Sequence, residues 1–242
     1  MKKFLLFFLL QFTYSAFAQQ FNEYTKKWAT YVGGQSTRFY TSVVDSEGNI
    51  IAVGEIIGGI SQTLQDESYY NSFATNQDLL YDNSIVNSPH THQTLIVKFS
   101  PDGELLESGY LPLYAYQIEI DNEDNLYIAG STKKNNIGTN DVWMTTPLTE
   151  LASSSEKSIL TKLNPDFSTV WLTYIPSQGI SSFCFDENYN IYGVGATRID
   201  HSITTSNTFQ PDFITEYGNN GFLYENGLVY KLNHNGQLEW SS

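Results

Sequence analysis

The chain repeats one two-part phrase three times, and this repetition constrains its fold more than any single residue does. The first part is a lysine-bearing apolar run that leads into a polar turn, at residues 95–103, 159–167 and 228–236. The second part runs from an aspartate to a glycine, at residues 45–54, 121–130 and 186–195. A unit repeated with variable connections is typical of an array of similar supersecondary structures.

The segments within each repeat alternate apolar and polar residues over short runs rich in Val, Ile, Tyr, Phe and Thr. Such runs, broken by Gly, Asn, Asp and Pro, predict short antiparallel strands, and no long helical period is present. The segment 93–131 predicts one complete unit, with strands at 94–99, 104–111, 114–120 and 126–130. We therefore expect an all-β, β-propeller-like array of four-stranded antiparallel blades.

The repeated polar residues have a local explanation in turn chemistry. An aspartate side chain at the start of a turn accepts hydrogen bonds from the backbone amides that follow it. This role is predicted for Asp45, Asp121 and Asp186. A glycine near a strand end marks a bulge or a close approach of two chains, and this is predicted for Gly54, Gly130 and Gly195.

Several phrases resemble the SBBP-type β-propeller repeat of secreted and cell-surface bacterial proteins. They are Trp28-Ala-Thr-Tyr-Val-Gly-Gly34, Val44-Asp-Ser-Glu-Gly-Asn-Ile50 and Leu160-Thr-Lys-Leu-Asn-Pro-Asp166, and Thr208-Phe-Gln-Pro211 resembles a phrase of that family's inter-strand connections. The resemblance covers nearly all of residues 28–242. It implies the propeller fold, but it implies no common reaction and no shared catalytic residues.

The predicted strands do not fill a whole number of blades. Three, four, four and two strands are expected in the clusters 27–55, 93–131, 158–196 and 227–242, the first of them at Trp28–Tyr31. This predicts a partial propeller of about three blades plus part of a fourth, either as the N-terminal part of a longer propeller or with open edges. Open sheet edges can pair with another chain.

The N-terminus predicts export. Residues 1–18 combine Lys2 and Lys3, a short apolar run and an Ala16-Phe-Ala18 cleavage cue, which is typical of a signal peptide. We expect a secreted or cell-surface protein that starts at Gln19 and does not insert into the membrane after cleavage. The net charge of −14 disfavours nucleic-acid partners. The single cysteine, Cys184, is expected to be a buried, inert thiol.

Long connections separate the predicted units, at 56–92, 132–157 and 197–226. They occupy the same point of the repeat, so they are predicted to emerge on one side of the propeller, where loops usually bind ligands. The candidate ligand-binding residues are the aromatic side chains of these connections: Tyr69, Tyr70, Trp143, Phe213 and Tyr217. The alternative is that such aromatics cover the blade edges.

Constellations with chemical meaning are weak. His90 and His92 lack an identifiable third metal ligand, and Asp66, Glu67 and Asp78 form no recognisable glycosidase pair. The turns at 45–47 and 121–124 faintly resemble calcium loops without the full pattern, which favours turn capping over calcium binding. No catalytic residue, metal or cofactor is predicted.

The sequence thus favours a non-enzymatic binding or scaffold module for an extracellular protein or glycan. Two alternatives remain: a purely structural spacer, and an extracellular hydrolase or lyase that acts on a polysaccharide or peptide from the propeller's central face.

Overall fold

The computed structural model describes residues 27–32, 37–56, 93–111, 113–148, 156–198, 203–217 and 224–242. These residues form twelve β-strands and no helix. The strands are β1 Thr37–Val44, β2 Ile50–Ile56, β3 Gln93–Phe99, β4 Leu105–Leu111, β5 Tyr114–Ile120, β6 Leu126–Thr132, β7 Lys157–Leu163, β8 Thr169–Tyr174, β9 Gly179–Phe185, β10 Ile191–Thr197, β11 Asn226–Leu232 and β12 Leu238–Ser241. The predicted signal peptide lies outside the described residues.

The strands form three four-stranded antiparallel sheets, each built from four consecutive strands. Sheet 1 contains β1–β4, sheet 2 contains β5–β8 and sheet 3 contains β9–β12. The prediction of an all-β, propeller-like array is confirmed, and the three sheets do not close into a ring.

The boundaries of the sheets differ from those of the predicted unit. The unit at 93–131 contains β3 to β6, which are the last two strands of sheet 1 and the first two of sheet 2. The strands on either side of a long connection pair instead: Ala52 of β2 pairs with Val97 of β3, and Ala129 of β6 pairs with Leu160 of β7. Loop-closure entropy grows only slowly with length, so a long connection does not prevent its flanking strands from pairing.

The sheets stack face to face. Strand β5 lies against sheet 1 and β9 lies against sheet 2. We call the face of a sheet that the following sheet covers its back face, and the opposite face its front face. The back face of sheet 2 contains Tyr127, Ala129, Leu160, Lys162 and Trp171, and its apolar members cluster with sheet 3.

Sheet 2 is buried on both faces. Ile128, Ile159 and Leu163 of its front face cluster with sheet 1, and Tyr127 and Leu160 of its back face cluster with sheet 3; all five are at most 1% exposed. This explains why β6 and β7 contain near-continuous apolar runs instead of clean alternation.

The repeated glycines lie opposite β-bulges, as predicted. The register of β5 with β6 shifts between Ala115 and Gln117, next to Gly130, and the same irregularity adjoins Gly54 and Gly195. A Cβ atom at Gly130 would lie 2.0 Å from the carbonyl oxygen of Tyr114. The backbones therefore approach too closely for any side chain at this position.

A tryptophan packs on the glycine of a neighbouring sheet's last turn. The indole of Trp171 covers Gly236, which has φ +76°, and its Nε1–H donates to the carbonyl oxygen of His234 at 3.1 Å. Trp28 covers Gly103 in the same way. In sheet 2 the equivalent turn position is Phe167, fully buried at φ +65°, so its own ring fills the space.

The predicted strand at Trp28–Tyr31 is wrong, because residues 27–32 form no strand. Among the described residues, no strand pairs with this backbone, and Tyr31 is fully exposed. Trp28 and Val32 nevertheless pack on the front face of sheet 1, which contains Leu95, Val97 and Phe99. The segment occupies the place that the outermost strand of a preceding sheet would take.

The crowding at Gly130 predicts a specific stability difference. We expect Gly130→Ala to lower the free energy of unfolding by at least about 2 kcal/mol, because the new methyl group meets backbone that cannot move away. Gly179→Ala is the matched control, since a Cβ there meets nothing within 4 Å. Urea denaturation measures both, and an equal loss in the two variants would contradict this account of the bulge.

Candidate functional site

The aspartate of each repeated turn accepts hydrogen bonds from residues of its own turn. In sheet 1, Asp45 Oδ1 accepts hydrogen bonds from the backbone N–H groups of Glu47 and Asn49, at 3.0 and 2.8 Å. Asp45 Oδ2 accepts one from Asn49 Nδ2 at 2.9 Å and lies 2.9 Å from Lys98 Nζ. Both carboxylate oxygens therefore point at donors, as turn capping requires.

The turn of sheet 2 repeats this arrangement. Asp121 caps Glu123 and Asn125 and lies 3.4 Å from Lys162 Nζ, while the Tyr127 hydroxyl donates to Oδ2 at 3.3 Å. Burial opposes ionisation of Asp121, but hydrogen bonds from Asn125 and the charge of Lys162 outweigh it and hold the pKa of the carboxyl below its usual range.

The turn of sheet 3 differs in its lysine. Asp186 still accepts hydrogen bonds from Asn188 and Asn190, but Lys231 Nζ lies 2.7 Å from Glu239. These three turns cap themselves, as the turn-capping interpretation predicted. Within the described ranges, no group of three or more His, Cys, Asp and Glu residues is arranged to hold a metal ion.

Neighbouring turns also bind each other. The backbone N–H and hydroxyl of Ser46 in sheet 1 donate to the carboxylate of Asp124 in sheet 2, at 2.8 and 2.6 Å. The backbone N–H of Asn122 donates to the hydroxyl of Tyr189 in sheet 3 at 3.1 Å. Asp124 and Tyr189 occupy the same turn position with positive φ, so each sheet reaches back to the sheet before it.

Titratable side chains converge where the first strands of sheets 1 and 2 meet. Tyr40 of β1 and Tyr114 of β5 both hydrogen-bond the side chain of Glu55, a residue only 5% exposed, and Arg38 contacts Tyr40. Burial and the negative charge of Glu55 raise the pKa of both tyrosines. Both phenols therefore stay protonated and serve as hydrogen-bond donors.

Sequence analysis missed this cluster. Its signal was a single charged residue, Glu55, inside the apolar run of β2, combined with Tyr40 at the adjacent bulge of β1. Bulges often re-aim side chains near functional sites.

The described parts of the connections 132–157 and 197–226 run back along the outermost strands of sheets 2 and 3. In sheet 2 the backbone N–H of Thr139 donates to the carbonyl oxygen of Leu172 at 2.9 Å, and Leu172 N–H donates to Thr139 Oγ1 at 3.0 Å. Thr205 and Ser241 repeat this exchange in sheet 3, at 3.0 and 3.2 Å. The connections thus cover edges that would otherwise be open to strand pairing.

The connection of sheet 3 also forms a cavity of about 450 Å³ against β11 and Ser242. Phe209 and Phe213 line it together with polar residues, among them Thr204, Gln210 and Asp212. The wall is anchored, since the Asn226 side chain exchanges two hydrogen bonds with the backbone of Ile214, at 3.0 and 3.2 Å. Phe209 is almost completely exposed.

The structure places the predicted binding residues in different surroundings. Phe213 lines the cavity, and Tyr217 is 67% exposed outside its lining. Trp143 packs on Tyr230 between sheets 2 and 3, with ring centroids 5.5 Å apart. Tyr69 and Tyr70 lie outside the described residues, as do the other candidates His90, His92, Asp66, Glu67 and Asp78. Phe209, another aromatic residue of the same connection, lines the cavity together with Phe213.

The prediction of a buried Cys184 is wrong, because this thiol is exposed. Its neighbour Phe183 points into the cluster between sheets 2 and 3, so Cys184 points to the opposite face of sheet 3. It pairs with Tyr192 on that face. No described residue forms a further sheet to cover it.

Comparisons with known proteins do not assign this chain to a family: no family model matches it. No curated protein matches it significantly either. In the part of the chain that is described, no helix has the length and apolarity needed to span a membrane.

The buried aspartate–lysine pair predicts a stability effect with an internal control. We expect Asp121→Ala to lower the free energy of unfolding by about 3 kcal/mol, because it leaves Lys162 and two backbone donors without their acceptor. Asp186→Ala removes the equivalent residue of sheet 3, where Lys231 keeps Glu239, and should cost clearly less. Chemical denaturation of both variants gives the comparison, and equal losses would refute the pairing account.

The same pair predicts a pH dependence. The folded-state pKa of Asp121 lies below the unfolded value of about 3.9, so its contribution is complete above that value and is lost as the pH falls through the folded pKa. The destabilisation by Asp121→Ala should therefore be the same at about pH 7 and about pH 5, and it should shrink as the pH falls below about 4. A gap that stays constant or widens on acidification would contradict this sign.

Proposed function

We propose that this chain is a secreted or cell-surface protein of the SBBP propeller-repeat type that acts as a non-enzymatic binding scaffold. Its ligand is an extracellular glycan, held in the cavity at the outer edge of sheet 3. The observation that carries the proposal is the pair Phe209 and Phe213 in that cavity, beside the polar side chains of Gln210 and Asp212.

The chemistry of the cavity suits a neutral sugar. Aromatic rings offer flat apolar surfaces against which the C–H face of a pyranose can pack, and a few placed polar groups give orientation. Amide and carboxyl groups, as on Gln210 and Asp212, supply donors and acceptors for sugar hydroxyls. The net charge of −14 disfavours anionic polysaccharides.

The rigidity of the surroundings also supports binding. The backbone N–H of Gln210 donates to Ser242 Oγ at 3.1 Å, and Thr205 is bonded to Ser241. These contacts fix the connection to β12, so a ligand would meet a largely preformed surface and little ordering entropy would oppose its binding.

A hydrolase or lyase is the second candidate, and the cluster of Tyr40, Glu55 and Tyr114 is the observation that favours it. A tyrosine general base requires a lowered pKa, whereas the pKa values of Tyr40 and Tyr114 are both raised. Glu55 is also nearly inaccessible to a substrate, at 5% exposure. The cluster is therefore better suited to fixing the junction of β1 and β5 than to proton transfer.

Calorimetric titration with neutral hexasaccharides of glucose, xylose, mannose and N-acetylglucosamine tests the binding proposal. We expect at least one of them to bind, and Phe213→Ala to weaken that binding about tenfold, since it removes one stacking surface. Phe209→Ala should act in the same direction.

Tyr224→Ala is the matched control, because Tyr224 belongs to the same connection, is 56% exposed and does not line the cavity. Its affinity should equal that of the unaltered protein. Binding that is insensitive to both phenylalanine substitutions, or turnover of a hexasaccharide, would overturn the proposal.

A further inference from the structure

The back face of sheet 3 repeats the residues that sheet 2 buries. Tyr127, Ala129, Leu160, Lys162 and Trp171 of sheet 2 correspond in register to Tyr192, Val194, Val229, Lys231 and Trp240 of sheet 3. Ala129 and Leu160 are at most 1% exposed, whereas Val194 and Val229 are each 42% exposed. Sheet 3 thus presents an interface-like face that no following sheet covers among the described residues, whereas sheets 1 and 2 are each covered by the next sheet.

Trp240 shows the difference between sheets 2 and 3 most clearly. Trp171 pairs with Lys162, rests on Gly236 of the next sheet and donates to a turn carbonyl. Trp240 pairs with Lys231 in the same register, but it is half-buried, and its indole makes an edge contact with Tyr192, with centroids 6.4 Å apart. Among the described residues, no carbonyl accepts a hydrogen bond from its Nε1–H.

The chain itself contains the complementary surface, on sheet 1. Gly103 lies in its last turn at φ +91°, and the indole that covers this glycine belongs to Trp28, not to a preceding sheet. Trp28 Nε1 donates to the carbonyl oxygen of Pro101 at 2.9 Å, and Lys27 lies 3.9 Å from Asp102 in an exposed ion pair. A segment held by these contacts, without strand pairing to any described strand, can exchange with a better-supported tryptophan.

We propose that the back face of sheet 3 binds the front face of sheet 1 of a second copy of this chain. Trp240 takes the place of Trp28 on the Gly103 turn, while Val194 and Tyr192 face the first strand of the second copy. This contact continues the geometry that already joins sheets 1 and 2 and sheets 2 and 3 within one chain.

The head-to-tail contact is made twice in a symmetric pair. The described residues of each chain form three sheets, so a pair joined twice in this way would place six such sheets in one ring, a number within the four to eight blades of known propellers. A heterologous contact closes into a ring when its rotation allows it, and a two-fold axis then relates the copies. The inference does not rest on the proposed function, although Val229 of the back face of sheet 3 also lines the proposed glycan cavity.

Sedimentation velocity of the purified protein over about 1–100 µM tests the proposal, a range that brackets micromolar dissociation constants. We expect a reversible dimer, and Trp240→Ala should raise its dissociation constant at least about tenfold. Val194→Glu, which charges the same face, should do likewise and remains informative if Trp240→Ala fails to fold. Tyr224→Ala, which alters an exposed aromatic residue outside both this face and the cavity, should leave the dissociation constant unchanged.

Two further measurements separate this contact from other self-association. Trp28→Ala vacates the Gly103 turn and should tighten the dimer, and the reaction of Cys184 with a maleimide should slow as the protein concentration rises. A protein that stays monomeric throughout the range would overturn the proposal. So would a dimer that is insensitive to Trp240→Ala and Val194→Glu, or assembly into open polymers larger than a dimer.

Discussion

The packing of each sheet's first strand across the preceding sheet is the contact on which the rest of the structure depends. A four-stranded sheet with two apolar faces cannot remain in water, and each side chain such as Tyr127 or Leu160 that leaves water contributes about 1.5–3 kcal/mol. Both faces of sheet 2 are buried because it lies between sheets 1 and 3. The same need explains why sheet 1 recruits Trp28, and it is the reason why we propose a partner for the back face of sheet 3.

The polar repeat is a consequence of this stacking. A lysine on each back face lies beside the aspartate that starts the turn between the first two strands of its sheet, as for Lys98 with Asp45 and Lys162 with Asp121. Where the following sheet covers the face, the pair is buried and caps the turn. In sheet 3, where no described sheet covers it, Lys231 turns to Glu239 instead.

Local features were predictable from the sequence, and non-local ones were not. The aspartate caps and the bulges beside Gly54, Gly130 and Gly195 follow from backbone geometry within a few residues, so the pattern alone predicts them. The positions at which one sheet ends and the next begins do not follow from the pattern, because a repeating pattern has no marked start. The short link between β4 and β5 looks like a hairpin, whereas β6 and β7 pair across a long connection.

Burial was equally hard to predict where it depends on what covers a face. Cys184 lies in an apolar run that predicts burial, yet its side chain points to the back face of the last sheet. Phe213 was predicted as a binding residue from its place in a long connection. Its neighbours in the cavity could not be predicted, because they depend on how that connection folds back onto β12.

Backbone NOEs between strands test the central claim, that each sheet pairs across its long connection and that the sheets meet at the β4–β5 link. The account predicts cross-strand NOEs that join Ala129 to Leu160 and Val194 to Val229, and none between β4 and β5. A ladder of NOEs between β4 and β5, with none across the long connections, would contradict it.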